Sequence, residues 1–115
     1  MRRTESPDLL PGTLDLLILR VLTRASLHGY GIAERVKALS NDVLQVGQSA
    51  LYPALHKLEQ NGWIESDWKV SETNRQAKYY SLTRAGRKAL AAETASWERL
   101  SSAISAIVST PQEAE

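Results

Sequence analysis

The side chains best suited to chemistry in this 115-residue chain are concentrated in one segment, Gln48-Ser-Ala-Leu-Tyr-Pro-Ala-Leu-His-Lys-Leu-Glu-Gln-Asn-Gly62. Wound at about 100° per residue, it gathers Leu51, Ala54, Leu55 and Leu58 into one apolar stripe. Ser49, Pro53, His56 and Gln60 turn the other way, with Tyr52 and Lys57 at the edges. Gln48, Ser49, Tyr52, His56 and Lys57 therefore offer hydrogen-bonding groups of the kind that address base edges and phosphates. Ser49 can cap the helix and also donate to a phosphate, because helix N-termini hold phosphates through their free N–H groups. A solvated face is the competing reading for His56, Lys57 and Gln48, and packing against a neighbouring hairpin is the competing reading for the Tyr52 ring. Farther on, Arg75, Lys78, Arg84, Arg87 and Lys88 follow one another with no acid between them. Arg75 at a loop tip and Lys78 at a strand start are the expected phosphate contacts, which give affinity without sequence choice.

Catalytic chemistry has little to work with. Only His28 and His56 are present, there is no Cys, and no Ser-His-Asp, metal-ligand or phosphate-loop spacing occurs. We expect a non-enzyme with no cofactor and no metal. The formal net charge of +1 is small for a nucleic-acid binder, so any basic surface must come from local distribution. Arg2 and Arg3 add a basic start to the chain.

The elements that position these residues follow from periodicity and punctuation. Residues 1–11, with Ser6-Pro7 and Pro11-Gly12, read as a flexible arm. Thr13 is the expected cap of a first helix that is apolar at Leu14, Leu16, Leu17, Ile18, Leu19, Val21 and Leu22, a central beam needing cover on nearly all sides. A second helix repeats Ile32, Val36 and Leu39 and ends at Ser40-Asn41-Asp42. In the third, a Ser49 cap would place Pro53 fourth, where its missing N–H costs little, and Gly62 supplies the left-handed stop. Glu59 is expected to be structural, paired with a base.

Trp63 to Lys69 alternates as a strand, Ala77 to Leu82 is its return, and the polar connection from Val70 to Gln76 is expected to project as a mobile loop. Trp63, Trp68, Tyr79 and Tyr80 read mainly as packing residues of this hairpin, one tyrosine inward and the other near the surface. Thr83 suits the cap of a last helix whose Leu90, Trp97, Leu100, Ile104 and Ile107 make a narrow seam broken at Glu93. Such a seam needs a partner helix, so we expect self-association through these five residues. Thr110-Pro111 ends the helix and the tail over 111–115 is expected to be disordered.

The chain size fits one domain with a short appendage. With 43% hydrophobic and 23% charged residues it has the composition of an ordinary soluble protein, and no apolar run approaches the roughly 20 residues that cross a bilayer. The run from Leu14 to Leu22 contains Asp15 and Arg20 and no small-residue cleavage site follows it, so a cytoplasmic protein without a secretory signal is expected.

Three blocks carry a family resemblance: Leu27-His-Gly-Tyr-Gly-Ile-Ala-Glu-Arg35; Leu51-Tyr-Pro-Ala-Leu-His-Lys-Leu-Glu59 with Gly62; and Lys78-Tyr-Tyr-Ser-Leu-Thr83 with Gly86. In this order the chain resembles the PadR family of bacterial transcriptional regulators, in its short form with a single C-terminal helix. The resemblance implies a mainly α fold with a small β-hairpin, a winged helix-turn-helix over 12–82 and a C-terminal dimerisation helix over 83–110. It further implies that the third helix enters the DNA major groove, the wing touches flanking backbone, and the last helices pair two subunits. Repression of transcription from a pseudo-palindromic operator is the implied activity. Resemblance to drug-sensing relatives gives Trp97 a second role, lining a pocket for a small apolar or aromatic effector, beside its plain role in a dimer core. The alternative function is a winged-helix protein-interaction module without specific DNA binding.

Overall fold

A computed structural model describes residues 12–112 of the chain; the expected arm over 1–11 and tail residues 113–115 lie outside the described residues. The elements run α1 (Thr13–Val21), β1 (Leu27–His28), α2 (Gly29–Leu39), α3 (Gln48–Gln60), β2 (Ile64–Val70), β3 (Gln76–Leu82) and α4 (Arg84–Val108).

The continuous apolar run makes α1 the beam of the fold. Ile18 and Leu19 are fully buried, and α2, α3 and α4 all pack against this helix. Its cap is not Thr13, which is the first helical residue; the N-cap is Gly12 at φ 87°, without a side-chain hydrogen bond. Glycine reaches that left-handed backbone at little cost, and the chain enters the helix one residue earlier than a Thr13 cap requires.

In α2, Ile32 and Val36 are buried, but Leu39 is 65% exposed because the last turn runs past the core. Asn41 and Asp42 take positive φ, and Leu44 and Val46 then bring the chain back onto the core. The apolar stripe of α3 is as expected, with Leu51, Leu55 and Leu58 buried. Its start is not. The N-cap is extended Gly47, whose carbonyl accepts from Leu51 N–H at 3.0 Å, so Ser49 is already helical and caps nothing. Pro53 consequently lies inside the helix, and its absent N–H deprives the Ser49 carbonyl of an intrahelical donor. Both residues are exposed, so water can satisfy that carbonyl.

At the other end, Gly62 at φ 77° follows the cap residue Asn61, and two bonds lock the stop: Trp63 N–H to the Leu58 carbonyl and Gly62 N–H to the Glu59 carbonyl, both 3.0 Å. This double closure satisfies two of the carbonyls that a helix end leaves open. It also fixes the exit of β2.

The antiparallel sheet has the order β1-β3-β2, with β2 and β3 registered from Ile64↔Leu82 to Val70↔Gln76. The extra strand β1, with Leu27↔Tyr80 and His28↔Tyr79, was not foreseen. Along the hairpin Ile64 and Tyr80 are buried, Trp63 and Tyr79 are half-buried, and Trp68 is 64% exposed instead of packed, because it lies beyond the helices that cover the base of the wing. The connection is a compact turn over 71–75 and not the long loop expected. Ser71 N–H reaches the Arg75 carbonyl at 2.7 Å, and Asn74 N–H the Ser71 carbonyl at 2.9 Å, with Asn74 at positive φ.

Thr83 begins α4 as expected. Its hydroxyl oxygen accepts from Gly86 N–H at 3.0 Å and donates to the Gly62 carbonyl at 2.7 Å, joining this helix to the end of α3. Ala89 and Leu90 pack on the core, so the exposed part of the apolar stripe begins only at Trp97. There Trp97, Leu100, Ile104 and Ile107 are 42%, 46%, 47% and 73% exposed. Among the described residues no helix is long and apolar enough to cross a membrane.

Candidate nucleic-acid interface

The buried leucines of α3 turn its polar residues outward, so Gln48, Ser49, Tyr52, His56 and Lys57 are all exposed. Beside this face the wing overhangs the first turns of α2 and α3. Between them is an open cleft of about 780 Å³, whose lining includes Tyr30, Tyr52, Trp68, Arg75, Lys78 and Tyr80. Through Tyr52, α3 thus borders one concavity with the wing turn, aromatic on its walls and lined also by Arg75, Lys78 and the Glu72 carboxylate. The exposed aromatics Tyr30 and Trp68 were missing from the sequence-derived site; their place in it depends on how far the wing projects.

Electrostatics divide the candidate bases. Lys57 Nζ lies 2.6 Å from Asp15 Oδ2 on α1, and Lys78 Nζ lies 3.5 Å from Glu59 Oε1. Glu59 also accepts a hydrogen bond from Ser66 Oγ at 2.5 Å, which makes it the structural carboxylate expected, clasping α3 to both wing strands. Lys78 stands 5.7 Å from the centre of the Tyr80 ring, and Lys69 is 5.6 Å from that of Tyr79. Exposed Arg75 has no ion-pair partner among the described residues. Two of the three candidate bases therefore carry a carboxylate neighbour and the third is open.

Burial holds the Tyr80 phenol above its ordinary value of 10.0, and the negative charge of Glu59 adds to the rise. Tyr80 accordingly stays neutral and serves as the inner wall of the cleft.

His28 has a role that sequence reasoning did not give it. Its Nδ1 accepts from Gly31 N–H at 3.0 Å and caps α2, so the proton of the neutral ring sits on Nε2, 3.9 Å from Glu72 Oε1 of the wing turn. The ring also meets Tyr79 edge-on, with centroids 5.1 Å apart. A His-Gly pair before an amphipathic helix was the available signal, obscured because Ser, Thr, Asp and Asn are the usual caps. Among the described residues no group of three His, Asp or Glu side chains could hold a metal ion.

At the opposite end, Trp97 borders a hollow of about 110 Å³ with Gly12, Thr13, Leu16, Glu93 and Leu100. The remaining seam residues Ile104 and Ile107 lie farther out along α4.

Comparison with known proteins places this geometry. The chain is 31% identical over 77 residues to the negative transcriptional regulator PadR of Bacillus subtilis (strain 168), a match covering 67% of this chain and 42% of that protein. A solved transcriptional regulator from Clostridium thermocellum superposes with a TM-score of 0.77 at 29% identity, covering 84% of this chain and 94% of the other. A PadR family transcription regulator from Clostridium difficile R20291 gives a TM-score of 0.70 at 25% identity, covering 83% and 97%. With its buried α3 stripe and flanking wing, and with residues 18–92 matching the family model, the chain belongs to the PadR-like family of transcriptional regulators.

Proposed function

We propose that the chain is a sequence-specific DNA-binding regulator that represses transcription as a homodimer on a pseudo-palindromic operator. The observation that carries this reading is that Tyr52 of α3 and Arg75 of the wing tip border the same cleft. A major groove admits one α-helix, and in this reading the outward face of α3 enters it while Arg75 meets the adjacent phosphates. Gln48 and His56 address base edges; Ser49 and Tyr52 hold the backbone. Lys57 and Lys78 first have to share or leave their carboxylates, so they contribute less than their charges suggest.

The exposed Trp97, Leu100, Ile104 and Ile107 support pairing of two α4 helices, each subunit supplying one half-site about one helical turn, roughly 10 base pairs, from the other. An apolar or aromatic effector at Trp97 needs that second copy, since a hollow of about 110 Å³ falls below the roughly 300 Å³ of small-molecule sites.

Titrating the protein with DNA from just upstream of its own gene, at several salt concentrations, tests the reading. Tight, salt-dependent and sequence-selective binding is expected. Weak binding indifferent to salt and sequence would remove it. The rival, a protein-interaction module, draws on the carboxylate pairing of Lys57 and Lys78 and predicts a partner that survives nuclease treatment.

A further inference from the structure

We propose that Gly29 is a positioning residue for DNA recognition, its missing side chain leaving the room that fixes where α3 presents the Tyr52 phenol; this rests on the DNA-binding reading above. Gly29 is buried in the first turn of α2. A Cβ built there would lie 2.5 Å from the Tyr52 hydroxyl oxygen, 2.9 Å from Cζ and 3.0 Å from Cε1. Ordinary carbon contacts are roughly 3.5–4.0 Å, so even a methyl group must displace the ring.

No conformational need explains a glycine here. Gly29 is not among the positive-φ residues, and alanine is the better helix former. The contact with Tyr52 is what the glycine permits. Because the Tyr52 ring is 44% exposed and turns on two torsions, it can swing outward without opening the core.

The surface against which Tyr52 rests is itself tied to the wing. Immediately before Gly29, His28 pairs with Tyr79 of β3, meets that ring edge-on and caps α2 through Gly31. The His28-Gly29 joint thus sets the phenol of α3 relative to the strand that carries the wing, so that Tyr52 and Arg75 reach one DNA backbone together. A methyl group at residue 29 breaks that spacing while leaving both DNA-contacting side chains intact.

The test compares Gly29→Ala, Tyr52→Ala and the double variant for operator affinity, thermal melting and the NMR cross-peaks between Gly29 Hα, or its alanine replacement, and the Tyr52 ring. Gly29→Ala is expected to remain folded, lose those cross-peaks and bind operator about tenfold more weakly. In the Tyr52→Ala background it should add no further loss, because the overlap is gone. Parental affinity in Gly29→Ala, or an equal loss in both backgrounds, would overturn the proposal. Should Gly29→Ala fail to fold, the double variant regains the fold if the overlap with Tyr52 is the cause and stays unfolded if it is not. A parent that binds no DNA defeats the functional reading alone; the cross-peaks then decide whether Gly29 places Tyr52.

Discussion

The Lys57 ammonium of α3 lies 2.6 Å from the Asp15 carboxylate in the first turn of α1. Asp15 is favoured there by the positive end of the helix dipole, and its side chain is only 13% exposed while that of Lys57 is 56% exposed. The carboxylate is held and the ammonium is the mobile partner. An anion arriving at α3 has to compete with Asp15 for this charge. Asp15→Asn should therefore release Lys57 to DNA, tightening binding at low salt and steepening the salt slope by about 0.9. Lys57→Met should leave the parental slope nearly unchanged. Equilibrium titrations between about 50 and 200 mM salt read both slopes; an Asp15→Asn slope equal to the parent's would refute the competition.

Arg75 provides the contrasting case. Exposed at the wing turn and without an ion-pair partner among the described residues, it should release counterions whenever it meets phosphate. Arg75→Ala should weaken binding to all sequences alike and lower the salt slope by about 0.9. His56→Ala should instead cost about 1–3 kcal/mol on the preferred operator and little on unrelated DNA. A scan of single-base operator variants separates the two patterns, and an Arg75→Ala effect confined to certain sequences would count against the phosphate role.

Much of this scaffold was legible because it depends on local spacing. Leu51, Leu55 and Leu58 follow the helical period into the core, Gly62 stops α3, and Thr83 caps α4, each signal written within a few neighbouring residues. Features set by distant partners were less accessible. The two-residue strand β1 has no periodicity and exists only by pairing with Tyr79 and Tyr80; Lys57 finds Asp15, and Lys78 finds Glu59, through folding. Leu39 shows the reverse failure, since it keeps the apolar period after the core has ended. Ser49 was a plausible cap by residue type, yet the Gly47 carbonyl had already accepted the first helical hydrogen bond.

The neutral Tyr80 phenol predicts an alkaline limit to stability. Its value is raised in the folded protein by burial and by Glu59, so its contribution is complete below about 10 and is lost as pH climbs through the higher folded value. Tyr80→Phe should change stability by about 1 kcal/mol or less near pH 7, because a ring of nearly the same volume still fills the wall. Above pH about 10 the variant should outlast the parent. Denaturant midpoints measured from pH 7 to 11 check this, and parallel declines of parent and variant would exclude Tyr80 as the source.

Thr83 joins two helix ends with one hydroxyl, accepting from Gly86 N–H and donating to the Gly62 carbonyl. Removing it leaves an uncapped N–H at the start of α4 and loosens the α3 stop. Thr83→Ala should lower stability by about 1–2 kcal/mol, whereas Thr83→Ser should retain most of it. Urea unfolding followed by circular dichroism gives both values; an alanine variant as stable as the parent would show that the cap contributes nothing.

The exposed stripe on α4 allows the sharpest test of assembly. Its 25 residues extend about 37 Å at 1.5 Å per residue, and only the first part packs on the body of the protomer. Trp97 is the largest apolar side chain exposed there among the described residues, and pairing with a second copy would withdraw it, with Leu100, Ile104 and Ile107, from water. A twofold pair presents each residue twice, so one substitution removes two contacts from the interface. Trp97→Ala should therefore cost at least about 2 kcal/mol of association energy, raising the dimer dissociation constant some thirtyfold. Operator affinity should fall with it, because a lone subunit reaches one half-site and loses the second contact. Sedimentation equilibrium measures the first effect and operator titration the second. If the dimer is unchanged, the stripe has another cover. If it dissociates while operator affinity holds, the two half-sites are not read by one pair.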